Sequence, residues 1–354
     1  MTNLSLKNTF FLNNKLKENI LTSISSNSLN SFIIAGPKGL GKVGFVLNLS
    51  KYLLCELENN KSINISNLKN TNFTHNNIKK NKSFYLFDNQ SHPDFFYLKN
   101  DKDNEGKKIP IENVRKLKIF FNTTYSVSQT KIAVIDKIED LSINSLNSLL
   151  KTIEEIPEHS YVFIISNKPI NIVETIKSRC VLFYINSLDQ TNFKTVIENN
   201  FNNISIEEKI FLSSICYGSP GLAEEVISNK VFDVYNEFLD SLIDSNSFAI
   251  FTEKILKLFA FNVKNQEFLS SIFHLIINDI IKKSSFFLHN RKYLENTLDK
   301  EKKIIEIILN NNNALKLLNL QSKFDKNMHS ANLIHLNKSE ILIDTIKDLC
   351  GKWF

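Results

Sequence analysis

Apolar residues in the first half of the chain come in short unbroken runs separated by stretches that repeat them at helical spacing. SFIIA (31–35), IAVI (132–135) closed by Asp136, YVFIIS (161–166) and CVLFYI (180–185) read as buried strands, and the aromatic run FFYL (95–98) as a further one. Between them VGFVLNLSKYLLCEL (43–57), IPIENVRKLKIFF (109–121) with Pro110 near its start, and SINSLNSLLKTIEEIP (142–157) carry the period of helices. Strands that are apolar on both faces and alternate with helices predict a parallel sheet covered by helices, an α/β fold. After about Leu188 the strand pattern stops. Residues 193–226 read as short helices broken at Gly218, Pro220 and Gly221, and the chain from Phe232 onward as long helices with polar interruptions such as 310–313. Residues 58–82 are rich in Asn and Lys with isolated apolar positions, and read as a long mobile insertion.

Composition narrows the class. At 354 residues with 42% hydrophobic content, the chain is long enough for two or three domains, each with its own core. No apolar run reaches the ~20 residues needed to span a bilayer, and MTNLSLKNTFFLNNKLKEN lacks the pattern of a secretion signal, so a soluble, cytoplasmic protein with no membrane partner is expected. A net charge of +6 permits contact with nucleic acid without requiring it. Cys55, Cys180, Cys216 and Cys350 are scattered without C-x-x-C spacing, and His75 has no metal-spaced partner, so no zinc site is expected. Only Arg115, Arg179 and Arg291 among the 43 basic residues are arginine. In a chain so biased to lysine, an arginine marks a place where a planar guanidinium is needed.

GPKGLGK (36–42) follows the first strand. Gly36, Gly41 and Lys42 fit G-x-x-x-x-G-K, with Gly39 between them, the spacing in which backbone N–H groups face a phosphate chain and a lysine neutralises its end. The next position needs a hydroxyl to ligate Mg²⁺, and here it is Val43. Asp136 ends its strand as a metal-holding aspartate does, but Lys137 follows it where a water-activating glutamate belongs. Glu139, two residues further on, is expected to point elsewhere. Lys42 reads equally as a phosphate holder or a solvated loop lysine, Glu154 and Glu155 as a helix-end solvent face, Asn167 as a structural or interface residue, and His92 as a residue that bonds locally.

The segment from KIAVID through SLNSLLKTIEEIP and YVFIIS to ETIKSRC resembles the core of the bacterial DNA polymerase III clamp-loader AAA+ subunits, whose pattern is a strand ending in Asp, NALLKTLEEPP, a sensor strand and T-I-x-S-R-C. SHPDFFYL (91–98) and IPIENVRKL (109–117) resemble that family's HPD element and I-x-I-D-x-V-R helix. The resemblance runs from about Phe32 to Leu222. Beyond it there is only the helical pattern and an echo in ANLIHLN (331–337). It implies a RecA-like AAA+ domain over 1–187, carrying the 58–82 insertion, then a small helical lid over 188–245 and a helical collar over 246–354.

The family contains motors that hydrolyse ATP and a stator that does not. Motors carry G-K-[ST], D-E and G-S-x-R, where this chain has Val43, Asp136 with Lys137, and Gly218, Ser219, Pro220, Gly221. By resemblance, Gly36, Gly39, Gly41, Lys42, Val43, Asp136, Lys137 and Gly221 form a degenerate nucleotide site, with no intrinsic ATPase, no cofactor beyond weak residual nucleotide, and no zinc. Ser178, Arg179 and Cys180 match the family motif in full, which implies that Arg179 acts as an arginine finger in trans on a neighbouring subunit's ATP; the alternative reading is that Arg179 makes a salt bridge near a helix end. The implied partners are tau/gamma ATPase subunits and the delta subunit in a hetero-oligomeric ring, with the sliding clamp and primed DNA. The alternatives are a tau/gamma-type motor, which ATP turnover would reveal, and a solitary DNA-binding AAA+-like protein, which would not co-elute with motor subunits.

Overall fold

The computed structural model describes residues 14–26, 29–58, 81–100, 108–168, 172–201, 204–243, 263–311, 314–334 and a few positions between 340 and 348. Most of the 58–82 insertion, His75, Cys350 and the end of ANLIHLN lie outside the described residues. The chain divides into two compact units, 1–187 with 219–221, and 188–218 with 222–354.

The first unit is built on five parallel strands, β1 (Ser31–Ala35), β2 (Phe95–Lys99), β3 (Lys131–Asp136), β4 (Ser160–Ser166) and β5 (Val181–Tyr184), in the order β2-β3-β4-β1-β5. Every residue of β1 and β4 is buried, and every residue of β3 except Asp136. The reason is visible in the alternation of side chains. Phe32, Ile34, Ile132, Val134, Phe163 and Ile165 face one core, where α1 (Asn14–Ser25) contributes Ile20, Leu21 and Ile24 and α2 (Lys42–Glu56) contributes Phe45, Val46, Leu49 and Leu53. Ile33, Ala35, Ala133, Ile135, Val162 and Ile164 face the other, beneath Val114, Leu117 and Phe121 of α4 (Ile111–Asn122) and Leu149 and Ile153 of α5 (Ile143–Glu154). Sheets buried on both faces need unbroken apolar strands, so the α/β expectation holds for a physical reason. A short α3 (Lys82–Asp88) precedes β2, and α6 (Glu174–Lys177) precedes β5. Helix α1 is an addition, since the pattern reading contains no helix before β1.

The second unit is helical throughout its described residues. It comprises α7 (Gln190–Asn200), α8 (Ile206–Ile215), α9 (Pro220–Ser228) from Leu222 onward, α10 (Val231–Ile243), α11 (Val263–Asn290), α12 (Asp299–Asn311) and α13 (Ala314–Ile334). Phe193, Phe211, Tyr235, Phe238, Phe273 and Phe324 contribute to one shared core, with Tyr235 stacked on Phe211 at 4.4 Å. Within it Lys283 is buried between Asp279 (2.7 Å) and Glu301 (2.8 Å), which keeps its charge paired. Asp189 and Ser205 cap α7 and α8 by accepting from Asn192 and Glu208 backbone N–H groups. No helix among the described residues is long and apolar enough to cross a membrane.

Candidate functional site

Parallel α/β sheets present their loops, and most often their ligands, at the carboxyl ends of the strands. At that edge β1 runs into the glycine loop, β3 into Asp136 and Lys137, and β4 into Asn167. Gly36 donates its N–H to the Ser166 carbonyl (3.2 Å), tying loop to sheet. It has to be glycine, because a Cβ there would stand 2.3 Å from the Ile185 carbonyl oxygen. Gly39 and Gly41 take φ of 85° and 75°, and Gly41 is the N-cap of α2, so the helix N-terminus faces the loop.

Lys42 opens α2 and is only 3% exposed. Its Nζ donates to the carbonyl oxygens of Gly36 (2.7 Å) and Pro37 (2.5 Å), so the ammonium is folded back onto its own loop. The solvated-lysine alternative is therefore corrected: this side chain is buried and bonded. Burial lowers its pKa to about 8, the Glu139 and Asp136 carboxylates oppose that shift, and the Lys137 charge adds to it.

The other half of the site is held by bonds of its own. Asp136 Oδ2 accepts from the Tyr97 hydroxyl (2.6 Å), and burial together with that carboxylate pushes the phenol pKa up. Glu139, in the 3-10 turn Ile138–Asp140, accepts through Oε1 from the Ser166 hydroxyl (2.5 Å) and from the backbone N–H groups of Asn167 and Lys168 (2.8 Å each). Through that oxygen it ties the end of β4, while Oε2 is buried with no hydrogen-bond partner among the described residues. Val43 packs partly against the apolar core and offers no oxygen to a metal. As a hydrolytic Mg²⁺–nucleotide site the set does not fit, since the hydroxyl ligand is missing and Lys137 stands where the base belongs.

Gly221 has a positive use that sequence reasoning missed. Its N–H donates to the Gly39 carbonyl (2.8 Å), and the Ser219 hydroxyl donates to the Lys38 carbonyl (3.0 Å). A Cβ on Gly221 would lie 2.7 Å from the Gly39 oxygen and 2.9 Å from its Cα. At this point the 219–221 turn and the glycine loop meet backbone against backbone.

Arg179 is placed differently. The turn after α6 buries Cys180 in the core, where the thiol pKa rises to about 12, and leaves the Arg179 side chain 39% exposed. Arg179 Nη1 donates to the Thr175 carbonyl (3.0 Å) and to Ser178 Oγ (3.3 Å), and the Ser178 hydroxyl in turn donates to the Thr175 carbonyl (3.1 Å). Its Nε donates to Glu154 at the end of α5. None of these partners belongs to the glycine loop.

His92 bonds locally as expected, accepting at Nδ1 from the Asp94 N–H (3.1 Å). The residue that organises this region is Asp94, which the sequence reading passed over. Its buried carboxylate accepts from the backbone N–H groups of Ser126 (2.8 Å), Val127 (2.7 Å) and Ser128 (2.9 Å) and so shapes the loop that feeds β3.

The chain is 27% identical over 318 residues to a DNA polymerase III subunit delta' of Buchnera aphidicola subsp. Baizongia pistaciae, an alignment covering 87% of each chain. It is 28% identical over 194 residues to a DNA polymerase III subunit gamma of Buchnera aphidicola subsp. Schizaphis graminum, covering 54% of this chain and 48% of that one. Among solved structures it is similar to a DNA polymerase III gamma subunit-related protein from Thermotoga maritima, at 15% identity and a TM-score of 0.46, with 94% of this chain and 98% of that one covered. The family model described as DNA polymerase III, delta subunit, matches residues 12–189, half of the chain and the part that holds both the glycine loop and the Arg179 turn, and the chain belongs to that family.

Proposed function

We propose that this chain serves as the delta prime subunit of a bacterial DNA polymerase III clamp loader, the stator that hydrolyses no ATP itself. In this reading it joins tau/gamma ATPase subunits and a delta subunit in a hetero-oligomeric ring in the cytoplasm, with residues 188–245 as its lid and 246–354 as its collar. It donates Arg179 to the ATP of the neighbouring motor while the ring opens the sliding clamp and places it on primed DNA. The observation that carries the reading is a contrast within one unit. The chain's own loop is bonded to itself through Lys42 and lacks a metal ligand at Val43, whereas Arg179 is exposed and held in a defined orientation. A guanidinium near a γ-phosphate acts most strongly when the transferring group is partly detached and its oxygens carry developing charge.

The test is the ATPase of the reconstituted loader, stimulated by clamp and primed DNA. Arg179→Ala is expected to leave assembly and ATP affinity unchanged while lowering turnover at the adjoining site by roughly 10³-fold; the loss for the whole loader is smaller because other sites keep their own fingers. Arg179→Lys retains one charge but loses the planar fork, and is expected to resemble the alanine variant. Equal rates for all three proteins in an assembled loader would reduce Arg179 to a structural residue. The similarity to gamma subunits favours a motor as the second reading, and ATP turnover by the isolated chain at motor rates would establish it. The chain is also expected to carry no zinc, which elemental analysis of the purified protein checks directly.

A further inference from the structure

The end of α5 carries two adjacent carboxylates that the sequence reads alike and the structure separates. Glu155 pairs with Lys118 of α4 at 2.7 Å, which ties the last turn of α5 to its neighbouring helix. Glu154 turns the other way and accepts from Nε of Arg179 at 2.5 Å, linking α5 to the turn before β5. A guanidinium presents its five N–H donors in one plane from three nitrogens. Here Nε is taken by Glu154 and Nη1 by Thr175 and Ser178, while Nη2 has no partner among the described residues. A two-pronged carboxylate contact would have consumed a terminal nitrogen as well as Nε. The single contact orients the plane and leaves a terminal nitrogen uncommitted.

We propose that Glu154 is the positioning residue of Arg179: its carboxylate fixes the plane of the guanidinium so that Nη2 is presented to a phosphate oxygen of the nucleotide held by the adjoining subunit. This rests on the arginine-finger reading above. With side-chain exposures of 39% and 49%, an ion pair of this kind contributes little to stability, so its consequence lies in the orientation it imposes. Free arginine side chains sample many rotamers, and a reacting group held in advance loses less freedom when the transition state forms.

The reconstituted loader decides the matter, with kcat and the KM for ATP measured for wild type, Glu154→Ala, Glu154→Gln, Arg179→Ala and the Glu154→Ala/Arg179→Ala double variant. Glu154→Ala is expected to lower kcat roughly two- to fivefold with KM unchanged, because the guanidinium is misaligned rather than removed. Glutamine keeps an acceptor for Nε without the charge, so Glu154→Gln is expected to recover most of the rate. In the Arg179→Ala background the Glu154 substitution is expected to add nothing. A slow Arg179→Ala beside an unchanged or faster Glu154→Ala would overturn the positioning role and leave the finger standing. A further loss in the double variant, or a change confined to KM, would also overturn it. Wild-type rates for Arg179→Ala would remove both claims together.

Discussion

A buried ammonium needs acceptors, and Lys42 finds them in the two loop carbonyls it bonds. The desolvation is not fully offset, which is why its pKa falls from 10.5 to about 8. The sign of the consequence follows from linkage. Between about pH 8 and 10.5 the unfolded chain binds a proton at Lys42 that the folded chain does not, so the burial cost is present at neutral pH and is relieved as pH rises through that window. Wild type is therefore expected to gain stability relative to Lys42→Met between pH 8 and pH 10, by about 2 kcal/mol. Urea unfolding of both proteins at the two pH values checks it, and a difference independent of pH would mean the ammonium is better solvated than its contacts imply. Asp94 illustrates the opposite case, a buried acceptor whose donors are all backbone. Asp94→Ala strands three loop N–H groups and is expected to cost on the order of 2–4 kcal/mol, read from the same unfolding curves.

Elements differ in how far their residues announce them. Strands β1, β3 and β4 are legible because both faces are buried, so each is an unbroken apolar run; α4 and α5 are legible because their buried residues recur with the helical period. Helix α1 escapes notice because polar residues fill its exposed positions Glu18, Asn19, Thr22 and Ser25, and only the spacing of Leu16, Ile20, Leu21 and Ile24 marks the face that packs on the sheet. The same division runs through the site. The glycine loop, Asp136 and the Ser178–Arg179–Cys180 turn can be read because their residues are neighbours in the chain. Glu139 on the end of β4, Asp94 on the 126–128 loop, Glu154 on Arg179 and Gly221 on Gly39 cannot, because each bond joins elements that only the fold brings together. Helix α1 also gives a test at this scale. Leu21 is fully buried, and Leu21→Ala is expected to destabilise the first unit by about 2–5 kcal/mol. Because each unit has its own core, amide exchange is expected to rise in α1, α2 and the sheet while the helices from α10 to α12 keep their protection. Equal loss of protection in both units would mean that they unfold as one.

For the molecule as a whole, the proposed stator role raises the question whether placing the residues of the motor motifs at 43, 137 and 221 would confer ATP turnover. Two of the replacements are side-chain changes: Val43→Thr returns a hydroxyl to the start of α2, and Lys137→Glu returns a carboxylate beside Asp136. The third is of another kind. An arginine at 221 must displace Ser219–Gly221 from Lys38 and Gly39, since even a Cβ would lie 2.7 Å from the Gly39 oxygen. It also loses the two hydrogen bonds made there, each worth about 0.5–1.5 kcal/mol net. The isolated Val43→Thr/Lys137→Glu protein is therefore expected to show no ATP turnover above background, for want of the third charge. Adding Gly221→Arg is expected to leave turnover at background and to raise amide exchange at Gly41 and Lys42, because the contact that holds the loop is broken. Phosphate release and hydrogen exchange on wild type and these two variants read both effects. Turnover at motor rates by the triple variant, with exchange at the loop unchanged, would show that the backbone contact is no barrier and that this chain differs from a working motor only by its side chains.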